Sequence, residues 1–559
     1  MLSAAGKKRY AADCQKALDA LAAANGNKAQ AARTLGWAET SLKQRLTGAK
    51  RLRLTPSAIA AAAGEKKAEH LKPLMGGRDG LFETEAFPLP RAGKVSRYIL
   101  TAAQNNTQVN AAVWDGLLAL ADHYDAKVLV SRFTYNKGAY ASAGRKVGSA
   151  HASDFDDLWF DPLIEGYESD KRVCLAPGLM WCGEANIMPT AERPLSGFES
   201  YTGRNSGIFP HTKIAMQSIA SAKMSGTKFN YTTAAVTQRN YIQRKAGLKA
   251  EFHHAYGALL VEVDDKGNWW CRQINADKSG TFYDLDVKVE RGKLNTGHRV
   301  EAITWGDVHV AQIDPTVRKL AWGKGGMLDA LRPHKQFFHD VLDMHARNHH
   351  DAKDPHEVYR RFVEDKERVA DEVALVGLFF SDARRSWCES ISVESNHNQH
   401  MGRWLREADW RRDPVNAEFY LEAQAATLRA IRTEDRSFNL LRWAVERSHK
   451  DHGVRFLNED ESYILCPKAG DGIECGMHGH AGPNGTRASP LAFARMGRKA
   501  NVGHSHSAGI YDGVYVAGTS SRFDLGYNKG PSSWSHSHIL TYSNGKRAIV
   551  TMWDGKWRA

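Results

Sequence analysis

Five short blocks in the second half of the chain carry side chains that bind metal ions. Val300-Glu-Ala-Ile-Thr-Trp-Gly-Asp-Val-His309 is an apolar, strand-like run ending in Gly-Asp-x-His. Asp307 and His309 stand two apart, so both can reach one cation while Val308 turns away. Phe337-Phe-His-Asp340 places another Asp after an apolar pair, and Ile391-Ser-Val-Glu-Ser-Asn-His397 places Asn396 and His397 after a further strand-like segment. Ile473-Glu-Cys-Gly-Met-His478-Gly-His480 and Asn501-Val-Gly-His-Ser-His506 complete the series. One Asp-x-His is more often a polar loop than a metal site. The ordered set Asp307, His309, Asp340, Asn396, His478, His504 and His506 is far more specific. Its N and O donors suit two metal ions sharing one bridging carboxylate.

Such donors need strands to hold them, because ligands of open α/β sheets sit at the carboxyl ends of strands. From residue 97 the chain reads that way. Tyr98–Ala102 and Lys127–Ser131 read as strands, and Val109–Tyr124 between them has helical spacing, which makes a βαβ unit. Gly257–Val263 and Trp269–Ile274 read as a hairpin around Asp264–Asn268. Glu357–Ser381 is expected as one long amphipathic helix, and Arg403–Arg432 as a charged helix in a cap between the third and fourth blocks. The pair in Glu251-Phe-His-His-Ala255 reads as structural histidines. Trp534-Ser-His-Ser-His538 is a second His-x-His; His536 and His538 are expected on a strand of an outer sheet. Gly503 and the block spacing favour His504 and His506 as the ligands.

The chain has 559 residues, 42% hydrophobic and 25% charged, ordinary for a soluble globular protein of several domains. No apolar run reaches membrane-spanning length, and the first ten residues lack a secretory apolar region. Seven scattered cysteines form no C-x-x-C, which reads as free thiols in a reducing cytoplasm. The net charge of +13 is concentrated at the ends. Residues 1–60 hold 11 Lys/Arg against 3 Asp/Glu, and residues 476–559 hold 10 against 3. Basic ends suit a polyanion such as nucleic acid.

Residues 12–47 read as three short helices, with Leu18, Leu21 and Ala22 as the first apolar stripe and Ala31, Ala32 and Leu35 as the second. The Gly-Asn-x-x-x-Ala-Ala-x-x-Leu-Gly spacing, with Leu42 and Leu46 beyond, resembles the helix-turn-helix of Fis-type DNA-binding proteins. That resemblance implies that Thr40, Ser41, Lys43, Gln44 and Arg45 face a groove, with Lys50, Arg51 and Arg53 on phosphates. Residues 56–96, with an alanine-rich helix candidate at Ala58–Ala63, read as a linker.

The five blocks in order resemble the calcineurin-like metallophosphoesterase superfamily, whose pattern is D-x-H, G-D, G-N-H-D/E, H, G-H-x-H. The resemblance implies an α/β fold: a metallophosphoesterase β-sandwich flanked by helices over 297–559, with a helical cap about 399–460. It is preceded by an α/β domain of unassigned role at 97–296, a linker at 56–96 and a small all-α helix-turn-helix at 1–55. It implies one metal on Asp307, His309, Asp340 and His506, and a second on Asp340, Asn396, His478 and His504. Imidazole and carboxylate donors suit Mn, Fe or Zn, with Mn²⁺ favoured over Mg²⁺. His397 would stabilise or protonate the leaving oxygen. The sequence departs from the pattern at His339, where a small residue is usual, and at Asn398, where the acid that orients the catalytic His is an amide. His480 is the expected compensating residue.

His-Gly-His480, Gly482–Arg487, Arg495–Lys499, Asn501–Ser507, Gly526–Gly530 and Asn544–Arg547 are similar to phage-encoded metallophosphoesterases, the pre-early host-DNA-degrading nucleases of Tequintavirus-type phages. This implies a metal-dependent DNase whose partner is DNA, with Arg487, Arg495, Arg498 and Lys499 as further DNA contacts. It leaves homo-oligomerisation open and expects no membrane partner. A phosphatase or phosphodiesterase for another substrate, or a DNA-binding regulator with an inert metal domain, are the alternatives.

Overall fold

The computed structural model describes residues 4–24, 26–51, 84–135, 158–351, 354–526 and 528–559. The chain divides into two compact units, Met1–Phe82 and Glu83–Ala559.

The first unit contains helices Ala4–Ala23, Lys28–Leu35 and Glu39–Arg51. The Asn27 side chain accepts the Gln30 N–H to start the second helix, and Gly36, with φ 63°, ends it. Small side chains at Ala17, Ala31 and Ala32 let the helices close around Leu42. The first stripe differs from the expected one. Cys14, Ala17 and Leu21 turn inward, Leu18 is half-buried and Ala22 is exposed. Leu18 and Ala22 each lie one residue round the helix from the buried row, a rotation of about 100°. The alanine-rich segment Ala58–Ala63 lies outside the described residues.

In the second unit, a six-stranded sheet runs Val454–Phe456, Glu389–Ser392, Lys335–Phe338, Ala302–Thr304, Ser537–Thr541, Arg547–Thr551. The first four strands are parallel, and the last two antiparallel. Alternation sorts their side chains into two cores. Ile303 and Phe338 meet helices through Trp322, Phe379, Phe380 and Leu441. Ala302, Phe337 and Ile391 point the other way, onto Leu465, Ile473 and Cys475 of a second sheet. Burial on both faces is why these strands read as continuous apolar runs.

The second sheet has 11 strands and draws on both halves of the unit. Gly509–Tyr511 pairs with Met216–Ile219, which joins strands from 84–232 to strands from 464–516. A four-stranded sheet made of the βαβ unit and the Tyr256–Asp264/Trp269–Ala276 hairpin packs on it through Leu100, Leu259, Trp181 and Tyr231. Ile539 and Ile549 share that core. The boundary expected at 296/297 therefore falls inside one compact unit, because strands on both sides of it pair in one sheet.

The expected long helix is two, Pro355–Val363 and Val369–Ala383. The chain turns at Asp365, φ 53°, where exposed Glu364, Asp365 and Lys366 have no apolar face to bury. Between the third and fourth blocks stand helices His400–Glu407, Ala417–Arg432 and Leu440–Ser448. All seven cysteines are free. No helix among the described residues is long and apolar enough to cross a membrane.

Candidate metal centre

Each candidate ligand follows the carboxyl end of a strand. Asp307 and His309 follow Ala302–Thr304, Asp340 follows Lys335–Phe338, and Asn396 and His397 follow Glu389–Ser392. His478 follows Ile473–Glu474, and His504 and His506 follow Lys499–Val502. The loops are zipped together by backbone bonds. Val308 and His309 donate to the carbonyls of His339 and Asp340 at 2.9 and 2.7 Å, and Gly503 donates to His478 O at 2.7 Å.

The glycines of these loops are required by space. A Cβ at Gly503 would stand 2.1 Å from Asp307 Oδ1, and one at Gly306 would stand 2.8 Å from the backbone of Gly518 and Thr519. His309, Asp340, His504 and His506 adopt left-handed φ of 47°, 46°, 72° and 56°. For residues with a Cβ that conformation stores about 1–3 kcal/mol each and concentrates at functional sites.

The donor atoms of Asp307, His309, Asp340 and His506 lie within 4.8 Å of one another, and all four side chains are buried. His309 Nε2 and His506 Nε2 face each other at 2.9 Å. His506 Nε2 lies 3.2 Å from Asp307 Oδ2, and His309 Nε2 lies 3.9 Å from Asp340 Oδ2. Donors about 2.1 Å from one ion, at right angles, stand about 3 Å apart. Asp340 Oδ2 also meets His478 Nε2 at 3.2 Å, so this carboxylate faces ligands of both expected ions.

Buried polar atoms normally find partners. Here Asp307 Oδ1, both Asp340 oxygens, Asn396 Oδ1, His480 Nδ1 and His506 Nδ1 have no hydrogen-bond partner. Burial works to raise the Asp340 carboxyl, but His478 and His397 hold it well below the usual carboxylate range. Asp307 is likewise lowered, against burial, by His478 and His506. Burial holds His504 down to about 4, with repulsion from His478, and lowers His506. Anionic carboxylates beside neutral imidazoles make a donor set that fits divalent transition ions.

His504 differs from the rest. Its side chain is exposed, its backbone N–H donates to Asp307 Oδ2 at 2.7 Å, and its ring stands 5.3 Å from that of His478. His480 lies 5.5 Å from His478, ring to ring. The residue bonded to His397 Nδ1 is a carboxylate. Asp343, three residues after Asp340, accepts from His397 Nδ1 at 2.9 Å and pairs with His309 Nδ1 at 2.6 Å. One buried carboxylate thus orients two imidazoles. Asn398 instead accepts the Val341 and Leu342 N–H groups at 3.1 and 3.2 Å, which fixes the loop that carries Asp340 and Asp343. His339 is buried with Nδ1 3.2 Å from His478 Nδ1; burial and His478 hold it down to about 4.

Asp343 was missed because a lone Asp beyond a ligand block carries no signal of its own. The Asp-x-x-Asp spacing after an apolar pair was the available clue.

His538 sits on strand Ser537–Thr541, buried, and its Nδ1 accepts the Gly306 N–H at 2.9 Å. His536 bonds to Ser521 O at 2.9 Å, just ahead of that strand. His254 is buried between Tyr241 and the Thr237 carbonyl, as a structural histidine should be.

Among the expected DNA contacts, Thr40, Ser41, Lys43 and Gln44 are exposed on the third helix. Arg45 is half-buried and pairs with Asp13 at 3.6 Å. Lys50 and Arg51 lie in that helix's last turn, and Arg53 lies outside the described residues. Arg487, Arg495, Arg498 and Lys499 are all exposed, the last three at or just before the start of strand Lys499–Val502.

The chain is 37% identical over 475 residues to Protein A1 of Escherichia phage T5, an alignment covering 83% of each protein. The chain belongs to the Protein A1 family. No protein-family model matches it, and no solved structure matches it. All the candidate ligands of this family member lie in the unit that starts at Glu83.

Proposed function

We propose that the chain is a metal-dependent phosphodiesterase of the metallophosphoesterase kind, and that its substrate is DNA. The convergence of Asp307, His309, Asp340 and His506, with Asp340 oxygens left without partners, carries this reading. Asp307, His309, Asp340 and His506 would hold one ion; Asp340, Asn396, His478 and His504 would hold the other. When bound, two divalent ions supply Lewis acidity toward the phosphoryl oxygens and lower the pKa of water.

The chain's own residues do the rest. Asp343 fixes His397 through Nδ1, leaving Nε2 to meet a leaving oxygen. In the metal-free chain burial opposes a charge on His397, and Asp340 and Asp343 raise it to about 9; the bond to Asp343 is what would keep the imidazole in place to donate a proton. The basic ends favour DNA over a small phosphate ester. Exposed Thr40, Ser41, Lys43 and Gln44, with the basic residues around Lys499, would contact the strand.

The test is incubation of the full chain with plasmid and with linear DNA, in Mn²⁺, Mg²⁺ or EDTA. Cleavage in Mn²⁺, weaker in Mg²⁺ and absent in EDTA, is expected. Hydrolysis of bis-p-nitrophenyl phosphate without DNA cleavage would move the substrate to another class. No hydrolysis of either in any metal would remove the enzyme reading.

A further inference from the structure

At the other end of the same sheets, the second unit holds charges that the metal centre does not use. Arg547 starts strand Arg547–Thr551 and pairs with Thr541, which pairs with Ala302. Lys499 is the first residue of its strand. Arg547 therefore stands level with Ala302, where the strand leading to Asp307 begins, and Lys499 stands at the amino end of the strand leading to His504. At about 3.3 Å per residue, Lys499 lies roughly 13 Å along the strand from Gly503. A cavity of ≈ 630 Å³ opens here, lined by Arg239, Lys499, Lys546 and Arg547, with Arg498 also on its wall.

Among the described residues these cations make no ion pair. Arg547 is 3% exposed. Its guanidinium donates to Ala500 O, Asn501 Oδ1 and Gly513 O at 2.8, 2.9 and 2.6 Å and lies 4.0 Å over the Tyr515 ring; none of these partners is an anion. Burial holds Lys546 down to about 8, with repulsion from Lys499 and Arg547 against the pull of Asp277. Asp277 itself is occupied by Ser279 and Thr281. Of the acids on the cavity wall, Asp512 pairs with Lys213, and Asp471 is exposed. No carboxylate among the described residues is within ion-pair distance of Lys499, Lys546 or Arg547.

Desolvated charge of one sign is costly unless something of the other sign joins it. A cavity this size accepts a ligand as large as a nucleotide. Fixed Arg and mobile Lys donors around one space are the chemistry that recognises phosphate.

We propose that this cavity binds a phosphate group, at a site separate from the metal centre. The phosphate belongs either to a free nucleotide or to the backbone of a DNA strand. The site stands whether or not ions bind at Asp340.

The test is calorimetric titration of the full chain in EDTA with inorganic phosphate, dAMP and a dT12 oligonucleotide. Wild type is compared with Lys546→Met, Arg239→Gln and the charge-keeping Lys546→Arg. Lys546→Met should weaken phosphate and dAMP roughly ten- to hundredfold, as expected for one lost charge-assisted contact; Arg239→Gln should act in the same direction, and Lys546→Arg should retain binding. Equal weakening of dT12 assigns the site to a DNA strand, and unchanged dT12 binding assigns it to a small phosphate ligand. Absence of phosphate binding to the wild type, or equal affinity in wild type and Lys546→Met, overturns the proposal.

Discussion

Arg272 and Asp340 are both charged and both 1% exposed, yet their surroundings differ in kind. Arg272 donates to Asp284 at 2.7 and 3.0 Å and to Glu262 at 2.6 Å. Arg97 takes the other Glu262 oxygen at 2.9 Å, and the Tyr124 hydroxyl donates to Asp284 at 2.8 Å. Opposite charges are matched by geometry and by number, so the cluster asks for nothing further. Around Asp340 the imidazoles outnumber the carboxylates, several acceptors face one another, and both Asp340 oxygens lack a hydrogen-bond donor. A closed network of this size locks a fold. An open one of N and O acceptors is stable as a folded structure when a cation fills it. Burial alone does not mark function; unsatisfied valence inside burial does.

The largest expected effect comes from Asp340→Asn, which removes the carboxylate proposed to bridge the two ions. Phosphodiester cleavage should fall on the order of 10³-fold, equivalent to several kcal/mol of lost charge stabilisation, while the circular dichroism stays that of the wild type. Near-normal cleavage by this folded variant would break the comparison at its functional side.

Arg272→Met probes the closed side. It leaves Glu262 and Asp284 buried without their cation, and should destabilise the second unit by about 3–5 kcal/mol. Affinity for Mn²⁺, measured on the fraction still folded, should be unchanged. A variant as stable as wild type would show that the closed network is not what holds the four-stranded sheet.

Much of the open site was legible because its residues come in blocks. Gly306-Asp307 and Gly503-His504 each announce a tight approach and a ligand within two residues. The partners that complete the site were not legible in that way. Asp343 acts on His309 and His397, 34 and 54 residues away, and its role exists only once three loops converge. The fold divides similarly. The βαβ unit and its hairpin follow from local periodicity, whereas the pairing of Met216–Ile219 with Gly509–Tyr511 joins segments nearly 300 residues apart and leaves no local trace. Arg547 shows the same limit, since its sequence neighbours do not tell that its guanidinium is buried against Ala500 and Gly513.

The smallest effect separates half-buried His397 from buried His538 by the sign of their response to pH. In the metal-free chain, carboxylates raise His397 to about 9. Its contribution to stability is therefore complete below the ordinary value of about 6.5 and is lost as pH rises through the folded value. His538 is the opposite case. Burial, with repulsion from His536, holds it down to about 3, and its neutral Nδ1 accepts the Gly306 N–H. Its contribution is complete above about 6.5 and is lost progressively as pH falls toward the folded value. At pH 5 the loss should be about 2 kcal/mol, from roughly 1.5 pH units at 1.36 kcal/mol each. His538→Asn keeps an acceptor near the Nδ1 position but cannot take up a proton. Urea midpoints in EDTA, followed through the tryptophan fluorescence to which Trp305 contributes 5.0 Å from the His538 ring, should fall less steeply from pH 6.5 to 5 in this variant. His211 and His254, also lowered by burial, titrate alike in both proteins and cancel. Parallel slopes would mean that His538 is not held neutral, and the Gly306 turn that presents Asp307 would then depend on some other acceptor.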